Sequence, residues 1–410
     1  MKILVISQYY FPEQFRVNDV CEALARRGHQ VTVLTGLPNY PDGEIYDGYK
    51  DLSHRKEYIN GVQIYRCQLR PRHSGTVNLI LNYLSFVFQA IKTLQTIQNQ
   101  FDLIYVYEIS PITAAIPAIY YKRKNSIPLY LYCLDIWPEC VRDRAENKPM
   151  SKHNPVFLFS KAISKYVYKH SDMIGVKCKQ FCDYLHQECG VQKKKMKVLF
   201  EHAELSYLDV LEKPQENAFY DFMFLGNLGM SQRCISLIKA VEGLKTSIPF
   251  KLHFVGSGSN EKELLEYVDQ HHLDEIVKFH GHHPVSEINQ FYNYADCCLL
   301  NLTCKTAVGY TLPAKLTSYM AASRPIIAAA EGATKEIIED AKCGICVMPD
   351  DVEGLRNAMY YVLNNQEEMQ KKGCNGRSYF KRHFTIQQHI NELEKQFELL
   401  IVNFIHRKRN

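Results

Sequence analysis

A strand–helix alternation that runs through the first half of the chain and then starts again is the feature that most constrains the fold. KILVIS at 2–7 is typical of a buried strand, residues 19–30 have helical periodicity, and VTVLTG at 31–36 is a second strand. Further strand candidates lie at 62–67, 102–107, 129–134 and 172–177, and further helical stretches lie at 77–99 and 155–169. Near-continuous apolar strands alternating with helices predict a parallel sheet covered on both faces.

The pattern restarts after a polar stretch at 211–221. Strand candidates follow at 222–227, 250–258, 277–282, 296–302, 324–330 and 344–349, with helices at 231–245, 260–269, 285–295, 313–322, 334–340 and 351–364. The amphipathic stretch at 386–404 is helical and is expected to pack back on the first domain. Because 410 residues exceed what one hydrophobic core organises, we predict an α/β protein of two Rossmann-like domains facing across a cleft. The expected domains are 1–195 together with a C-terminal helix at 384–410, and 196–383.

The net charge of +5 is unevenly distributed along the chain. Residues 1–200 hold 27 Lys and Arg against 17 Asp and Glu, whereas the remainder holds 22 against 27. Much of the excess lies in 151–200, where cations alternate with aromatic residues. This segment is either a solvated face or a surface attracted to an anionic bilayer. Nucleic-acid binding is not expected, because no known nucleic-acid-binding motif accompanies the basic residues.

Two observations favour a cytoplasmic location. The sequence MKILVI runs directly into a strand pattern, without the features of a signal peptide, and the 14 cysteines are scattered as in proteins of a reducing compartment. The apolar windows at 78–91 and 103–121 are interrupted by polar residues and fall short of the roughly 20 residues of a membrane span. We therefore expect no transmembrane helix.

Four motifs of the second half carry a family resemblance. FLGNLG at 224–229, HFVGSG at 253–258, FHGHHP at 279–284 and LPAKLTSYMAASRPII at 312–327 resemble, in this order, the nucleotide-sugar domain of GT-B glycosyltransferases, specifically the retaining family 4. The first half, in particular 9–50 and LDIWPE at 134–139, is similar to the WbuB-like subgroup, which adds amino sugars such as N-acetylfucosamine during surface-polysaccharide assembly.

The resemblance implies a fold, a reaction and partners. It implies the GT-B fold and transfer from a nucleotide sugar, by expectation a UDP sugar, with retention of configuration. The implied acceptor is a lipid-diphosphate-linked saccharide in capsule or O-antigen synthesis. It also implies peripheral attachment to the cytoplasmic face of the inner membrane, with no metal or other cofactor.

On the donor side, glycines end the first strand of the second domain. Gly226 and Gly229 let backbone N–H groups approach an anion, although a tight turn alone also needs glycine. The resemblance places a basic residue at Gln232, so the charge is expected either at Arg233 or at Lys315. The donor-binding residues that it implies are Gly226, Asn227, Gly229, Gly256, Gly281, His282, Tyr310, Ser318 and Glu336. Tyr310 and Ser318 stand where family members carry two glutamates, and they offer hydroxyls in place of carboxylates.

On the acceptor side, polar and aromatic residues follow the strands of the first half. Asp135 follows a strand, and its carboxylate would orient or deprotonate the acceptor hydroxyl. Together with Lys315 and Arg233 it makes up the expected catalytic set. The expected acceptor-binding residues are Phe11, Glu13, Arg16, Asn39, Tyr40, Trp137 and Glu139. Trp137 is either a stacking platform for a sugar or a core anchor.

The motifs also suggest a candidate metal site and two alternative functions. His280, His282 and His283 are clustered, but successive residues on a strand and turn diverge, so no metal site is expected. A GT-B sugar-nucleotide epimerase and a non-catalytic subunit of a polysaccharide assembly complex are the alternative functions. The absence of the glutamate pair favours the second of these.

Overall fold

The computed structural model describes residues 1–51, 53–73, 75–142, 151–211, 218–302 and 312–409. The chain divides into two compact units. The first comprises Met1–Phe200 with Ile386–Asn410, and the second comprises Glu201–Thr385. The chain passes between the units at 200/201 and 385/386, whereas the boundaries expected from the sequence are 195/196 and 383/384.

The first unit is built on an eight-stranded sheet. Its strands are β1 Lys2–Ile6, β2 Gln30–Gly36, β3 Lys56–Ile59, β4 Val62–Cys67, β5 Leu103–Glu108, β6 Leu129–Cys133, β7 Met173–Val176 and β8 Met196–Val198. The order is β3-β4-β2-β1-β5-β6-β7-β8, and all neighbours are parallel except the antiparallel pair β3–β4. The sequence pattern missed β3 and β8, because each is a short edge strand without a continuous apolar run.

Helices connect these strands and cover the sheet. They are α1 Arg16–Arg26, α2 Thr76–Thr96, α3 Ile116–Asn125, α4 Glu139–Arg142, α5 Pro155–His170 and α6 Lys179–Cys189. Helix α1 buries one stripe that includes Val17, Val20 and Leu24, as its periodicity predicts. Helix α5 begins with Pro155 in its first turn, and the Asn154 side chain accepts a hydrogen bond from Val156 N at 2.9 Å.

The second unit is a six-stranded sheet in which every neighbouring pair is parallel. Its strands are β9 Tyr220–Leu225, β10 Phe250–Val255, β11 Val277–Phe279, β12 Cys297–Asn301, β13 Ile326–Ala329 and β14 Gly344–Val347. Its helices are α7 Ile235–Glu242, α8 Glu261–Gln270, α9 Ile288–Tyr294, α10 Ala314–Ala321, α11 Gly332–Ala341, α12 Val352–Asn364 and α13 Gln366–His383. The strand order β11-β10-β9-β12-β13-β14 is the doubly wound Rossmann order, so the α/β prediction is confirmed.

Helix α14, Ile386–Arg409, returns the chain to the first unit, as the sequence predicted. Phe397 is fully buried and packs edge-on against Tyr105 and Tyr130, with ring centroids 5.3 and 5.2 Å away. At the periphery, Arg27 Nη1 lies 2.5 Å from Glu394 Oε2. The last helix therefore completes the hydrophobic core of the first unit.

Helix α2 has the length and composition of a membrane span over Val77–Thr96, alone among the described helices. It packs against β2, β4 and α3, and it buries Phe86 and Ala90 completely. Its opposite side leaves Leu84 and Phe88 43% and 65% exposed. Through these contacts α2 forms part of the layer that covers the sheet, and it carries an apolar outer stripe.

Candidate functional site

The strand order of the second unit reverses between β9 and β12, where parallel sheets open a crevice at their carboxyl ends. These two strands pair only through Phe222–Cys297 and Met223–Cys298. Beyond that point the buried Tyr319 hydroxyl lies between them, accepting from Leu225 N at 3.1 Å and donating to Leu299 O at 3.2 Å. The tyrosine satisfies backbone groups that the diverging strands leave unpaired, and it therefore holds the crevice open.

Glycines at this edge allow the turns to pack backbone on backbone. Gly226 and Gly256 have φ values of +129° and +136°, which side chains rarely adopt. A Cβ on Gly256 would lie 2.1 Å from Gly226 O. Gly226 N donates to Val255 O, and Gly256 N donates to Gly281 O, each at 2.8 Å. The glycines predicted to bind the donor are thus joined at one edge, with the Asn227 side chain packed beside Gly229.

Lys315 reaches this edge from the first turn of α10. Its Nζ lies 2.6 Å from Gln232 Oε1 and 3.9 Å from the centroid of the Phe224 ring, and 3.4 Å from where a Cβ on Gly226 would be. Burial lowers the pKa of Lys315 to about 8. No carboxylate of the described residues lies within ion-pair distance of it. A desolvated cation beside glycine turns is suited to an anionic ligand.

Arg233, the other candidate for this charge, is already engaged. Its Nε and Nη2 each lie 2.8 Å from Asp350 Oδ1, in the loop after β14. Gln232, by contrast, accepts a hydrogen bond from Lys315. The family resemblance places a positively charged residue at position 232. Here Lys315, which lies more than 80 positions later in the sequence, brings its ammonium group to Gln232.

The other predicted donor residues have different environments. Ser318 donates from Oγ to Ala314 O of its own helix at 3.2 Å. His282 is exposed after the Gly281 turn, and Glu336 is exposed on α11, which starts directly after β13. Tyr310 lies outside the described residues.

In the first unit, Glu13 ties together the loops that follow β1 and β2. Its Oε1 accepts from Asn39 N at 2.9 Å and Tyr40 N at 2.8 Å, and Oε2 lies 3.4 Å from Tyr10 N. The residue is only 3% exposed, and burial raises its pKa to about 7. Glu13 therefore positions these loops, whereas Phe11 and Tyr40 present exposed ring surface.

Asn39 belongs to a buried amide network that the sequence did not predict. Its Oδ1 accepts from Arg72 N at 3.2 Å, and Asn82 Nδ2 lies 3.4 Å away. Gln8 Nε2 donates to Asn82 Oδ1 at 2.7 Å. The available signal was Asn82 itself, a polar residue inside the apolar window at 78–91. Arg16 is half-buried and is the first residue of α1.

The side chains of Asp135 and Trp137 both form hydrogen bonds with the Ser110 hydroxyl. Ser110 Oγ donates to Asp135 Oδ2 at 2.5 Å and accepts from Trp137 Nε1 at 3.0 Å. Ser110 has φ +93°, which is strained for a residue with a side chain. Trp137 is 8% exposed, so it anchors the loop after β6, and Asp135 is half-buried.

A second carboxyl, Glu108, lies beneath Asp135 at the end of β5. It is fully buried, and its Oε1 accepts from Ser110 N at 3.1 Å. Burial, and then the nearby Asp135, raise the pKa of Glu108 well above its usual range. The two neighbouring carboxyls therefore have unlike environments, since Glu108 is fully buried and Asp135 is half-buried. A charged residue ending the apolar run LIYVYE was the sequence signal that could have identified Glu108.

Glu139 is held within the fold of the first unit. Glu139 is buried and accepts from the Tyr184 hydroxyl at 2.5 Å, which fixes the start of α4. Within the described ranges, no three His, Cys, Asp or Glu side chains are arranged as metal ligands. The cysteines described by the structure are all free thiols.

Comparisons with known proteins cover both units. A family model described as "Glycosyl transferase 4-like domain" matches residues 14–199, and one described as "Glycosyl transferases group 1" matches residues 211–379. The putative colanic acid biosynthesis glycosyl transferase WcaI of Escherichia coli K12 is 22% identical, over 89% of this chain and 94% of its own length.

Solved structures share the fold. Anabaena Alr3699/HepE in complex with UDP has a TM-score of 0.71 at 16% identity, covering 98% of this chain and 100% of its own. The lipopolysaccharide outer core galactosyltransferase WaaB in its apo form has a TM-score of 0.64 at 13% identity, covering 100% of both chains.

Proposed function

The chain is a family 4 glycosyltransferase with the GT-B fold, and from that premise we propose that it transfers the sugar of a UDP-sugar to a lipid-linked saccharide in surface-polysaccharide synthesis, with UDP as the leaving group. The WbuB-like features of the first half favour an N-acetylated deoxyamino sugar, for a capsule or O-antigen. The bound UDP of Alr3699/HepE and the colanic acid assignment of WcaI support the nucleotide and the process.

The environment of Lys315 carries this proposal. The lysine is a cation without a carboxylate partner among the described residues, placed at the switch point beside Gly226. A nucleoside diphosphate bound there would bring its negative charge to Nζ and to the backbone N–H groups of the glycine turns. Because breaking the glycosyl–phosphate bond builds charge on the departing diphosphate, a fixed cation at that position lowers the barrier.

We propose transfer with retention of configuration. The acceptor hydroxyl oxygen bonds to the anomeric carbon on the face from which the diphosphate leaves, while the bond between that carbon and the phosphate oxygen breaks. The hydroxyl proton passes to the leaving phosphate, so no protein base is required. In the first unit, Asp135 would orient the acceptor hydroxyl through its carboxylate, with Phe11 and Tyr40 offering ring faces to a sugar.

Thermal stability in the presence of nucleotides tests the donor site. We expect 1 mM UDP to raise the melting temperature of the full chain more than GDP or ADP does, because a ligand that binds only the folded state stabilises it. Lys315→Met should remove most of the UDP effect. Lys335→Met is the matched control, since Lys335 is exposed on α11. Equal responses to UDP in the wild type and Lys315→Met would contradict the role of Lys315, and no response to any of the three nucleotides would contradict the donor site.

The anomeric configuration of the product tests the stereochemistry. A UDP-N-acetylamino sugar is incubated with the full chain and membrane lipids that carry the acceptor saccharide, and the new linkage is examined by NMR. Retention predicts the same anomer in the donor and the product. An inverted linkage would rule out the proposed mechanism.

We also propose that the protein works at the cytoplasmic face of the inner membrane, held by a surface of α2 and α5. Both helices pack on the same short turn at Ile112–Ala115. This α2–α5 surface exposes the apolar side chains Val77, Ile80, Leu84, Phe88, Val156, Leu158, Phe159 and Tyr166. Lys165 and Lys169 are exposed on α5 as well. Apolar side chains bordered by cations suit the boundary of an anionic bilayer.

Sedimentation with phosphatidylethanolamine–phosphatidylglycerol vesicles tests this surface. Replacing Phe88 and Phe159 by Ser should weaken vesicle binding by about tenfold or more, since each ring contributes on the order of 1–2 kcal/mol when it leaves water. Leu265→Ser, on α8 of the second unit and 45% exposed in the wild type, is the control. Unchanged binding of the double variant would exclude the α2–α5 surface.

A further inference from the structure

In the first halves of β9 and β10, one face of the second unit's sheet carries polar residues. Residues 220, 222 and 224 of β9 and 252 and 254 of β10 point into the core. The alternate positions, which include Asp221, Lys251 and His253, share the opposite face, because Lys251 is in register with Asp221. Helix α9 covers β9 on this face and leaves a cavity of about 400 Å³ over the neighbouring strands.

Three side chains of this cavity form a hydrogen-bonded relay. His253 Nε2 lies 2.9 Å from Asp221 Oδ1, and His253 Nδ1 lies 2.9 Å from His280 Nε2. Since the Asp221 carboxylate only accepts, His253 carries its proton on Nε2, and its Nδ1 then accepts from His280 Nε2–H. Among the described residues nothing hydrogen-bonds to His280 Nδ1, so in the neutral ring this nitrogen can accept a hydrogen bond. The histidine cluster noticed in the sequence is thus joined to β9 and β10 through His280.

The remaining walls of the cavity include aromatic rings and a lysine, together with Met223 and Gln290. Phe291 and Tyr294 of α9 line it, and Tyr294 is 53% exposed. Lys251 Nζ lies 4.3 Å from the centroid of the Phe219 ring, and no carboxylate of the described part of the chain pairs with it. Ring faces, a hydrogen-bond acceptor and an unneutralised ammonium group are the contacts that the apolar face, the hydroxyls and the acid group of a uronic acid require.

We propose that this cavity is a second carbohydrate-binding site, which takes a hexuronate unit of a saccharide. The sugar ring stacks on Tyr294 and Phe291, a hydroxyl donates to His280 Nδ1, and the carboxylate pairs with Lys251. The site is separate from the donor crevice, because its residues line the sheet face over β9 and β10, whereas Lys315 lies at the carboxyl edge between β9 and β12. The choice of a saccharide rests on the glycosyltransferase identity and not on the proposed donor.

Saturation-transfer-difference NMR on the full chain, measured without UDP and again with excess UDP, tests the site. The probes are methyl glucuronide and methyl glucoside. We expect signals from both, with tighter binding of the glucuronide. Lys251→Gln should weaken glucuronide binding by about five- to tenfold and remove the preference, as expected for loss of a charge-assisted hydrogen bond. Tyr294→Ala should weaken both probes, and the surface controls Lys262→Gln and Tyr360→Ala should change neither.

Three results would overturn the proposal. They are the absence of signal for both probes with the wild type, displacement of the glucuronide by UDP, and unchanged binding in both Lys251→Gln and Tyr294→Ala. UDP binding is measured in the same samples. A chain that binds glucuronide but not UDP would support this site while contradicting the proposed donor, so the two failures are distinguishable.

Discussion

Lys315 is expected to destabilise the ligand-free protein and to stabilise its complex with an anionic ligand. Its ammonium group is buried against Phe224 with a side-chain amide as its polar partner. Placing the charge there is unfavourable until an anion arrives, and for this reason its pKa in the folded protein, about 8, lies below the usual 10.5.

Lys315→Met should therefore stabilise the ligand-free protein at pH 7, by about 1 kcal/mol. The sign follows from proton binding: between pH 8 and 10.5 the unfolded chain holds the proton more tightly than the folded chain. The burial cost is consequently full below pH 8 and disappears as the pH rises through this window. Urea unfolding of both proteins at pH 7 and 10 measures the difference. A variant that is less stable at pH 7 would disprove the argument.

Glu13 is a positioning residue whose ionisation should be visible in stability. The pKa of Glu13 in the folded protein, about 7, lies above the usual 4.5, so the folded state holds the proton more tightly than the unfolded state. The stability of the wild type should therefore fall, relative to that of Glu13→Gln, as the pH rises from 4.5 to 7. We expect a change of about 2 kcal/mol across this range. Glu13→Gln keeps an acceptor for Asn39 N and Tyr40 N, and should preserve the acceptor KM.

Glu13→Ala separates this role from direct substrate contact. It leaves the buried Asn39 N–H and the partly buried Tyr40 N–H without their acceptor, which costs about 2–3 kcal/mol, and it should raise the acceptor KM through disorder of the loops. Glu44→Ala is the exposed control on the same stretch of chain. If Glu13→Gln lost activity as completely as Glu13→Ala, the carboxylate would have to act on the substrate itself.

At the scale of elements, the donor edge depends on turns that only glycine can make. The turns after β9, β10 and β11 are joined by hydrogen bonds that run from Gly226 to Val255 and from Gly256 to Gly281. The alternation of strands and helices predicted these elements, and the glycine motifs marked the turns. The close approach of Gly256 to Gly226 O is a tertiary contact between residues 30 positions apart, which local patterns do not contain.

Gly256→Ala should destabilise the second unit by about 2 kcal/mol or more, because the new Cβ meets Gly226 O and the φ of +136° is unfavourable. It should also abolish the melting-temperature increase with UDP. Gly190→Ala in the first unit is the matched control, since its Cβ meets nothing within 4 Å and only its φ of +72° carries a cost, about 1 kcal/mol. Differential scanning fluorimetry with and without UDP measures both effects. Equal losses in the two variants would contradict the packing argument.

At the scale of the whole molecule, the first unit is completed by the end of the chain. Trp137 is the only tryptophan and belongs to the first unit, so its fluorescence reports the unfolding of that unit alone. Phe397→Ala leaves a cavity against Tyr105 and Tyr130 and should lower the stability measured by Trp137 by about 3–5 kcal/mol. UDP should raise the melting transition followed by circular dichroism in both proteins, because its proposed site lies in the second unit. A tryptophan transition unaffected by Phe397→Ala would mean that α14 contributes little to the first core.

The sequence by itself determined four features: the α/β class, the restart of the pattern after residue 211, the return of the last helix and the glycine turns. Each of them depends on local periodicity or on adjacent residue types. The tertiary structure alone decided which charges meet. It paired Arg233 with Asp350, brought Lys315 to Gln232, buried Glu13 as a tie between two loops, and set Glu108 beneath Asp135. Such contacts join residues distant in sequence, and burial, which sets their charge states, depends on how the whole sheet is covered.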